Sequence, residues 1–359
     1  MIEFNKTKKR VTFIVLVLLS FYSSLSFSEE RSVVNENDAK HKGNEVNQWY
    51  FFTFENDVLS LVGDSDDGYT NGIGFAWGYE GYDSFKSIDM PDWIRFISDW
   101  TYINAADEKG YALGYGIAQG MYTPSDLSQE NLIEGDRPYA GTLTWQVRMR
   151  SFADGVTNSI GLELGVLGPA SSADKSQEVI HEMTDSSPPK GWDNQLENEA
   201  VFRIDGEYIN RFAVINLSGN VQADSNFYTD AGIGNLKSNA GTGFIFRIGN
   251  ILEHSYSFVN PIPARSFNAG GVSKEKGFNW QVYASAYGQY VFNDITLDGN
   301  TFQDSYSVDL IHEQGLISLG TTLTYSNWGV LFSWQRGTRE FEGQGKSPAY
   351  GSISLMYHH

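Results

Sequence analysis

No cysteine occurs in this 359-residue chain, so it has no disulfides, no thiolate metal centre and no cysteine nucleophile. Basic residues are few: 25 Lys and Arg face 44 Asp and Glu, a net charge of −19. Such a chain repels nucleic acid and anionic surfaces unless divalent cations bridge them. Long apolar runs are missing as well. The one candidate, "VTFIVLVLLSF" (Val11 to Phe21), is short of the ~20 residues a spanning helix needs. It follows Lys6, Lys8, Lys9 and Arg10 and leads to the small-residue stretch "SFS" ending at Ser28. Residues 1–28 therefore read as a secretory signal peptide, whose removal leaves the mature chain more acidic still. There is no G-x-S-x-G elbow, no phosphate loop and no CxxC or His-rich metal spacing. A serine triad is excluded on this inventory.

What is abundant is glycine and aromatic residues: 37 Gly, 9 Trp, 20 Tyr and 23 Phe. Period-two alternation accompanies them. "SIGLELGVLG" sets Ile160, Leu162, Leu164 and Val166 against Ser159, Gly161, Glu163 and Gly165. "AGTLTWQVRMR" and "LISLGTTLTY" behave alike, with polar and glycine-rich opposite faces. A soluble sandwich would turn such apolar faces inward, whereas a barrel with lipid outside and packed polar groups inside needs this pattern over long strands. The fold expected is all-β: a transmembrane antiparallel β-barrel of about 12 strands with a short helix in an extracellular loop. Residues 29–46 form a polar, flexible segment and 47–359 the barrel. The expected strands are Gln48–Asp57, Tyr69–Gly78, Tyr111–Gly120, Tyr139–Phe152, Asn158–Leu167, Glu199–Asn210, Val214–Ala223, Gly241–Ile248, Phe278–Phe292, Leu316–Ser326, Gly329–Arg336 and Ala349–Tyr357. Two stretches read as helical instead: "MPDWIRFISDW" (Met90 to Trp100), expected as a docked turn, and "SQEVIHEM" (Ser176 to Met183). Export with periplasmic termini places the ends of strands one, three and five, and the second helical stretch, on the extracellular rim.

That second stretch carries His181 with Gln177 one turn away on the same helix face. An imidazole near its natural pKa can take a proton from water at pH 7, although a histidine simply lying on a helix surface is the commoner case. At the end of strand one, Asp57 is a hard-oxygen ligand suited to Ca2+ and Asn56 an amide able to face an oxyanion. Both residue types also favour strand-end turns. "GDSDDGY" (Gly63 to Tyr69) fails as an EF-hand loop, because its glycine comes one position early and no Glu stands at the twelfth position. The inventory allows a His-activated water with a metal.

The segments "ENDVLS", "DDGYTNG", "YTPSD", "GDRPYAG", "GVLGP", "QEVIH" and "GWDNQLENE" occur in this order along the chain. Together they resemble the outer-membrane lipid A 3′-O-deacylase family (LpxR-like proteins) over essentially the whole mature length. The resemblance implies a Ca2+-dependent carboxylic ester hydrolase of the Gram-negative outer membrane, a monomer acting on lipid A of the outer leaflet. Carried over, His181 is the general base, Gln177 its neighbour, Asp57 a Ca2+ ligand, and Asn56 and Thr70 line the oxyanion and metal region. Two departures stand out. Ser187 occupies the place of a family glutamate, and Gln129 and Glu130 replace a Lys-Arg pair suited to lipid A phosphates. Asp185 or Asp193 is then the candidate replacement carboxylate, and Arg137 or Lys190 the candidate phosphate contact. A non-enzymatic barrel is the alternative in a second class. A phospholipase-type barrel is a third, against which the missing H-x-S-N-G arrangement counts.

Overall fold

The computed structural model describes residues 47–60, 68–101, 103, 110–153, 155–184, 188–250, 252 and 277–359. The expected signal peptide, the polar segment 29–46, most of the acidic loop after Gly63, and Asp185 to Ser187 lie outside the described residues. The strands are β1 (Asn47–Asn56), β2 (Gly68–Tyr82), β3 (Gly110–Thr123), β4 (Ala140–Ala153), β5 (Val156–Leu167) and β6 (Glu199–Ser218). They continue as β7 (Val221–Ile233), β8 (Lys237–Asn250), β9 (Phe278–Asp294), β10 (Glu313–Tyr325), β11 (Trp328–Gly337) and β12 (Ala349–His358). Each pairs antiparallel with its sequence neighbours, and β1 pairs with β12 to close the barrel. Closure satisfies the backbone of every strand without leaving an edge.

Alternation then sorts the side chains. Ile204, Phe246, Val282, Ile317 and Leu323 are roughly half exposed on the outside, while Arg203, Asp205, Arg247, Gln281, Ser318 and Thr322 are buried inside. This inverts the arrangement of a soluble protein and matches a barrel wall facing lipid. The lumen is packed at mid-height by ion pairs. Arg148 Nη2 meets Asp205 Oδ2 at 2.7 Å and its Nη1 meets Glu207 Oε2 at 3.1 Å, while Arg247 forks onto Asp224. Arg203 is fully buried, donating to the Lys237 carbonyl (2.5 Å) and Asn239 Oδ1 (2.6 Å), with Asp205 and Asp230 within 4 Å. Its guanidinium lies where a Cβ at residue 232 would fall, so that strand position has to be glycine.

Most strands run a few residues beyond the expected bounds, and one division falls elsewhere. Val214 to Leu217 belong to β6 rather than opening the seventh strand, and β7 starts at Val221 after a tight turn through Gly219, whose φ is +58°. A bulge between Arg211 and Ala213 shifts the alternation by one residue and disguises the continuity of β6. Both helical stretches form helices: α1 (Asp92–Trp100), between β2 and β3, and α2 (Ala173–Thr184), between β5 and β6. The rim carrying both termini has tight turns after β4, β6 and β10, while the opposite rim carries the long β3–β4, β5–β6 and β9–β10 connections. Short periplasmic turns and longer extracellular loops are the habit of outer-membrane barrels.

Replacing Arg203 by Ala should destabilise the barrel by about 3–5 kcal/mol, since it strands buried carboxylates. Urea titration of the heat-modifiable band checks this; a wild-type midpoint would show that the lumen network adds nothing.

Candidate active site

Helix α2 does not sit in the lumen. It lies against the outer wall at the extracellular rim, and glycine makes the approach possible. A Cβ at Gly141 would overlap Ser171 Oγ and the Ala173 side chain, so the helix start rests directly on the β4 backbone. Gln119, on the outward row of β3, donates to the Ser171 carbonyl at 2.6 Å. Gly168 turns the chain at φ +90°, its N–H donating to the Gly141 carbonyl at 2.8 Å. On the far side Gly191 abuts the Tyr139 ring, which also contacts Trp192 at 5.0 Å between centroids. Met121, Tyr139, Ala173, Ile180 and Trp192 form one buried cluster, joined by Phe54, Ile73 and Leu127.

Phe54 and Ile73 fix where the helix lies relative to the other candidates. They pair across β1 and β2, one outward step from the paired Asn56 and Asn71. The buried face of α2 thus covers the upper ends of β1 and β2. Asn56 and Asn71 are both buried there, and Asn56 Nδ2 donates to Asn71 Oδ1. Between β2 and β3 the register slips at Tyr69/Asn71, making Thr70 the extra residue of a bulge; its side chain is outside the described set. Asp57, 4% exposed, opens a 3-10 turn (Asp57–Leu59) folded back over β12, where Gly351 makes room for Leu59 and Trp334 Nε1 donates to Ser60 Oγ at 3.1 Å.

On the helix itself His181 is 8% exposed and Gln177 fully buried. Trp192 Nε1 donates to Gln177 Oε1 at 2.7 Å. An indole N–H can only donate, so this bond fixes the amide with its oxygen toward Trp192 and its NH2 the other way. Gln177 Nε2 and Asn71 Nδ2 are both buried and have no hydrogen-bond partner among the described residues. A buried amide donor left without a partner suits an oxygen-bearing guest.

A family model described as outer membrane protein LpxR matches residues 13–359. The chain belongs to the LpxR family. Among solved structures, LpxR from Salmonella typhimurium is 21% identical, covering 86% of this chain and 99% of its own, with a TM-score of 0.71; that likeness shows the fold. The β domain of the Bordetella autotransporter BrkA is 10% identical over 88% of this chain and 99% of its own, at a TM-score of 0.41. No curated protein sequence matches. Membership of the LpxR family makes this an integral outer-membrane protein and supports an enzyme that modifies lipid A.

Against that background one expected contact fails. Arg137 cannot serve as a phosphate clamp: it is 2% exposed and points into the lumen, over the Tyr122 ring at 4.8 Å, donating to Thr296 Oγ1 at 2.9 Å and to Glu340 at 3.5 Å. Burial pushes the Glu340 carboxyl above the ordinary glutamate range, with Arg137 pulling the other way. Lys190 is exposed on the loop before Trp192, and Asp193 is exposed beside it. Gln129 bonds Asp126 within its own loop at 3.0 Å, and the Glu130 carbonyl accepts from Asn194 at 2.6 Å, holding the β3–β4 loop to the β5–β6 loop. The residues that sequence reasoning passed over are Asn71, Trp192 and Gln119. Asn71 and Trp192 stand within the quoted segments, "DDGYTNG" and "GWDNQLENE", yet carry no titratable group that would single them out.

Among the described residues no three His, Cys, Asp or Glu side chains cluster as a metal site. Asp57 itself offers a carboxylate and its strand neighbour Asn56 an amide oxygen, both hard-oxygen donors of the kind Ca2+ prefers and zinc does not.

Gly141→Val should leave the barrel folded and lift α2 from the wall. The variant should keep its heat-modifiable shift, lose enzymatic activity by two orders of magnitude or more, about the effect of a 1 Å misplacement, and become cleavable by protease within 168–198. Wild-type activity and protection would mean the helix needs no direct seat on β4.

Proposed function

We propose that this barrel is a lipid A 3′-O-deacylase that hydrolyses the 3′-acyloxyacyl ester, with Ca2+ as cofactor. The observation that carries the reading is the placement of α2. It seats the buried His181 and Gln177 on the lipid-facing side of the wall at the extracellular rim, in a cluster that Phe54 and Ile73 of β1 and β2 join, two residues from the buried Asn56 and Asn71. An ester at the sugar–acyl boundary of the outer leaflet reaches that crevice laterally, without entering the lumen. A passive channel is the weaker reading, because Arg148, Arg203, Arg247 and their carboxylates fill the lumen.

His181 takes a proton from a water as that water attacks the ester carbonyl carbon. Charge builds on the carbonyl oxygen, where the amide donors Asn71 Nδ2 and Gln177 Nε2 are already desolvated and need no reorganisation. Collapse breaks the bond to the sugar 3′-oxygen, which takes back the proton from the imidazolium, and the fatty acid leaves as the carboxylic acid. Asp57 would hold Ca2+ together with neutral oxygens such as that of Asn56. Bound there, the cation would supply Lewis acidity toward the ester oxygen. Trp192 keeps the Gln177 amide turned toward the reacting groups.

Cells expressing the protein should yield lipid A lighter by the 3′-acyloxyacyl group in mass spectrometry. His181→Ala should slow that conversion by about 10²–10⁴-fold, and a calcium chelator applied to the purified enzyme should abolish it. Asp57→Asn should raise the Ca2+ concentration needed for half activity. Unmodified lipid A beside folded wild-type barrel would reject the reading.

A further inference from the structure

Helix α1 has no part in the site above and lies on the opposite rim. The connection holding it, residues 83–109, joins β2 to β3 at the rim where β4, β6 and β10 end in tight turns and where the equally long connection 251–277 joins β8 to β9. It does not hang free. Phe85, Ile88, Met90, Ile94 and Ile103 pack on Tyr111, Leu113, Val147 and Met149, which are outward-facing wall residues of β3 and β4. Val147 and Met149 are buried for this reason, on rows where other wall residues such as Leu164 remain exposed. The segment is therefore pinned to the outside of the barrel. Arg95 fastens it further, its guanidinium donating to the carbonyls of Phe85 (3.3 Å), Lys86 (3.2 Å) and Ile88 (3.1 Å).

With Ile94 and Ser98 turned to the wall, α1 has two faces left. One carries Trp93, Phe96 and Trp100, at i, i+3 and i+7, which are 45%, 62% and 81% exposed. The other carries Asp92 and Asp99, both exposed. Three large aromatic side chains on nine residues of exposed helix would be costly in water. They continue a stripe already on the wall: Tyr50, Phe75, Trp77, Tyr115 and Trp145 follow one another at 5.7–6.5 Å, and Trp93 meets Trp145 at 6.2 Å. That wall is lipid-facing in an outer-membrane barrel, so the aromatic face of α1 is continuous with an existing lipid contact.

We propose that α1 is an interfacial helix whose Trp93, Phe96 and Trp100 insert among phospholipid acyl chains of the periplasmic leaflet, with Asp92 and Asp99 turned to headgroups and water. A helix with one aromatic and one charged face lies in the interface in this manner, and Trp is favoured at that depth. The occupant is phospholipid rather than a second copy of the chain, because the aromatic face runs without a break into the barrel's own lipid-facing surface. The helix widens that surface on β3–β5, the strands whose other ends seat α2.

The absence of cysteine allows a clean test. Phe96→Cys, Trp100→Cys and Asp92→Cys are each labelled with a fluorescent thiol reagent. Each is then reconstituted in vesicles of phosphatidylethanolamine and phosphatidylglycerol containing doxyl-labelled phospholipid. All three positions are exposed, and the heat-modifiable shift confirms folding. Lipid-borne quenching should be several-fold stronger at positions 96 and 100 than at 92, while a water-soluble quencher should show the reverse order. Equal access of the water-soluble quencher to all three would overturn the proposal. So would dimer cross-linking through position 96 in place of lipid quenching, which would assign the face to a second copy.

Discussion

Everything in this molecule depends on satisfying backbone polar groups where no water can reach them. In hydrocarbon an unpaired N–H or C=O costs several kcal/mol, so the sheet closes, with β1 paired to β2 from Asn47 and to β12 from Trp49, both as far as Asn56. Closure makes every residue either a wall residue or a lumen residue. An acidic chain must then place its charges inside, at the rims or in loops, and inside they need partners. Arg148, Arg203 and Arg247 supply them. The result is a barrel whose interior is too crowded to be the workplace.

The proposed chemistry is accordingly placed on the outer surface, where a bare wall offers mainly apolar side chains. The fold solves this with glycine. Gly141 lets the start of α2 touch the β4 backbone, Gly168 turns the chain toward it, and Gly191 lets Tyr139 and Trp192 close the far side. Once the helix is seated, asparagines at the ends of β1 and β2, which would otherwise meet lipid headgroups and water, become buried. Sequence segments that look like functional motifs are in large part docking devices: "GDRPYAG" and "GVLGP" hold the helix and touch no candidate reacting atom.

Much of this was legible beforehand. The number of strands and the places of eleven of the twelve were expected, because alternation survives in any strand with two different solvents on its faces. The exception, the boundary between β6 and β7, is instructive: one bulged residue at Arg211–Ala213 reverses the phase, and phase was the signal being read. The helix carrying His181 was visible because its spacing broke the rule around it. Arg137 misled for the opposite reason. Its charge suggested a phosphate, yet Arg137 lies in the loop before β4 and turns inward onto Tyr122, Thr296 and Glu340, contacts remote in sequence that no local pattern reveals. Asn71 and Trp192 stayed hidden because their importance is purely geometric: each orients another amide.

The proposed hydrolase crevice would gain from being built against protein on one side and lipid on the other. The stranded amide donors Asn71 Nδ2 and Gln177 Nε2 each cost about 1–3 kcal/mol of desolvation, a burden that a site in water would not carry. In the proposed reaction the same desolvation becomes useful, because fixed donors in a low-dielectric crevice stabilise developing charge far more than donors already hydrated. The rigidity of the barrel makes the arrangement tolerable. With β2 bonded to neighbours on both sides and the Gln177 amide held by Trp192, neither unpaired donor can relax by a small shift, and in the proposed reaction the incoming ester oxygen is what satisfies them.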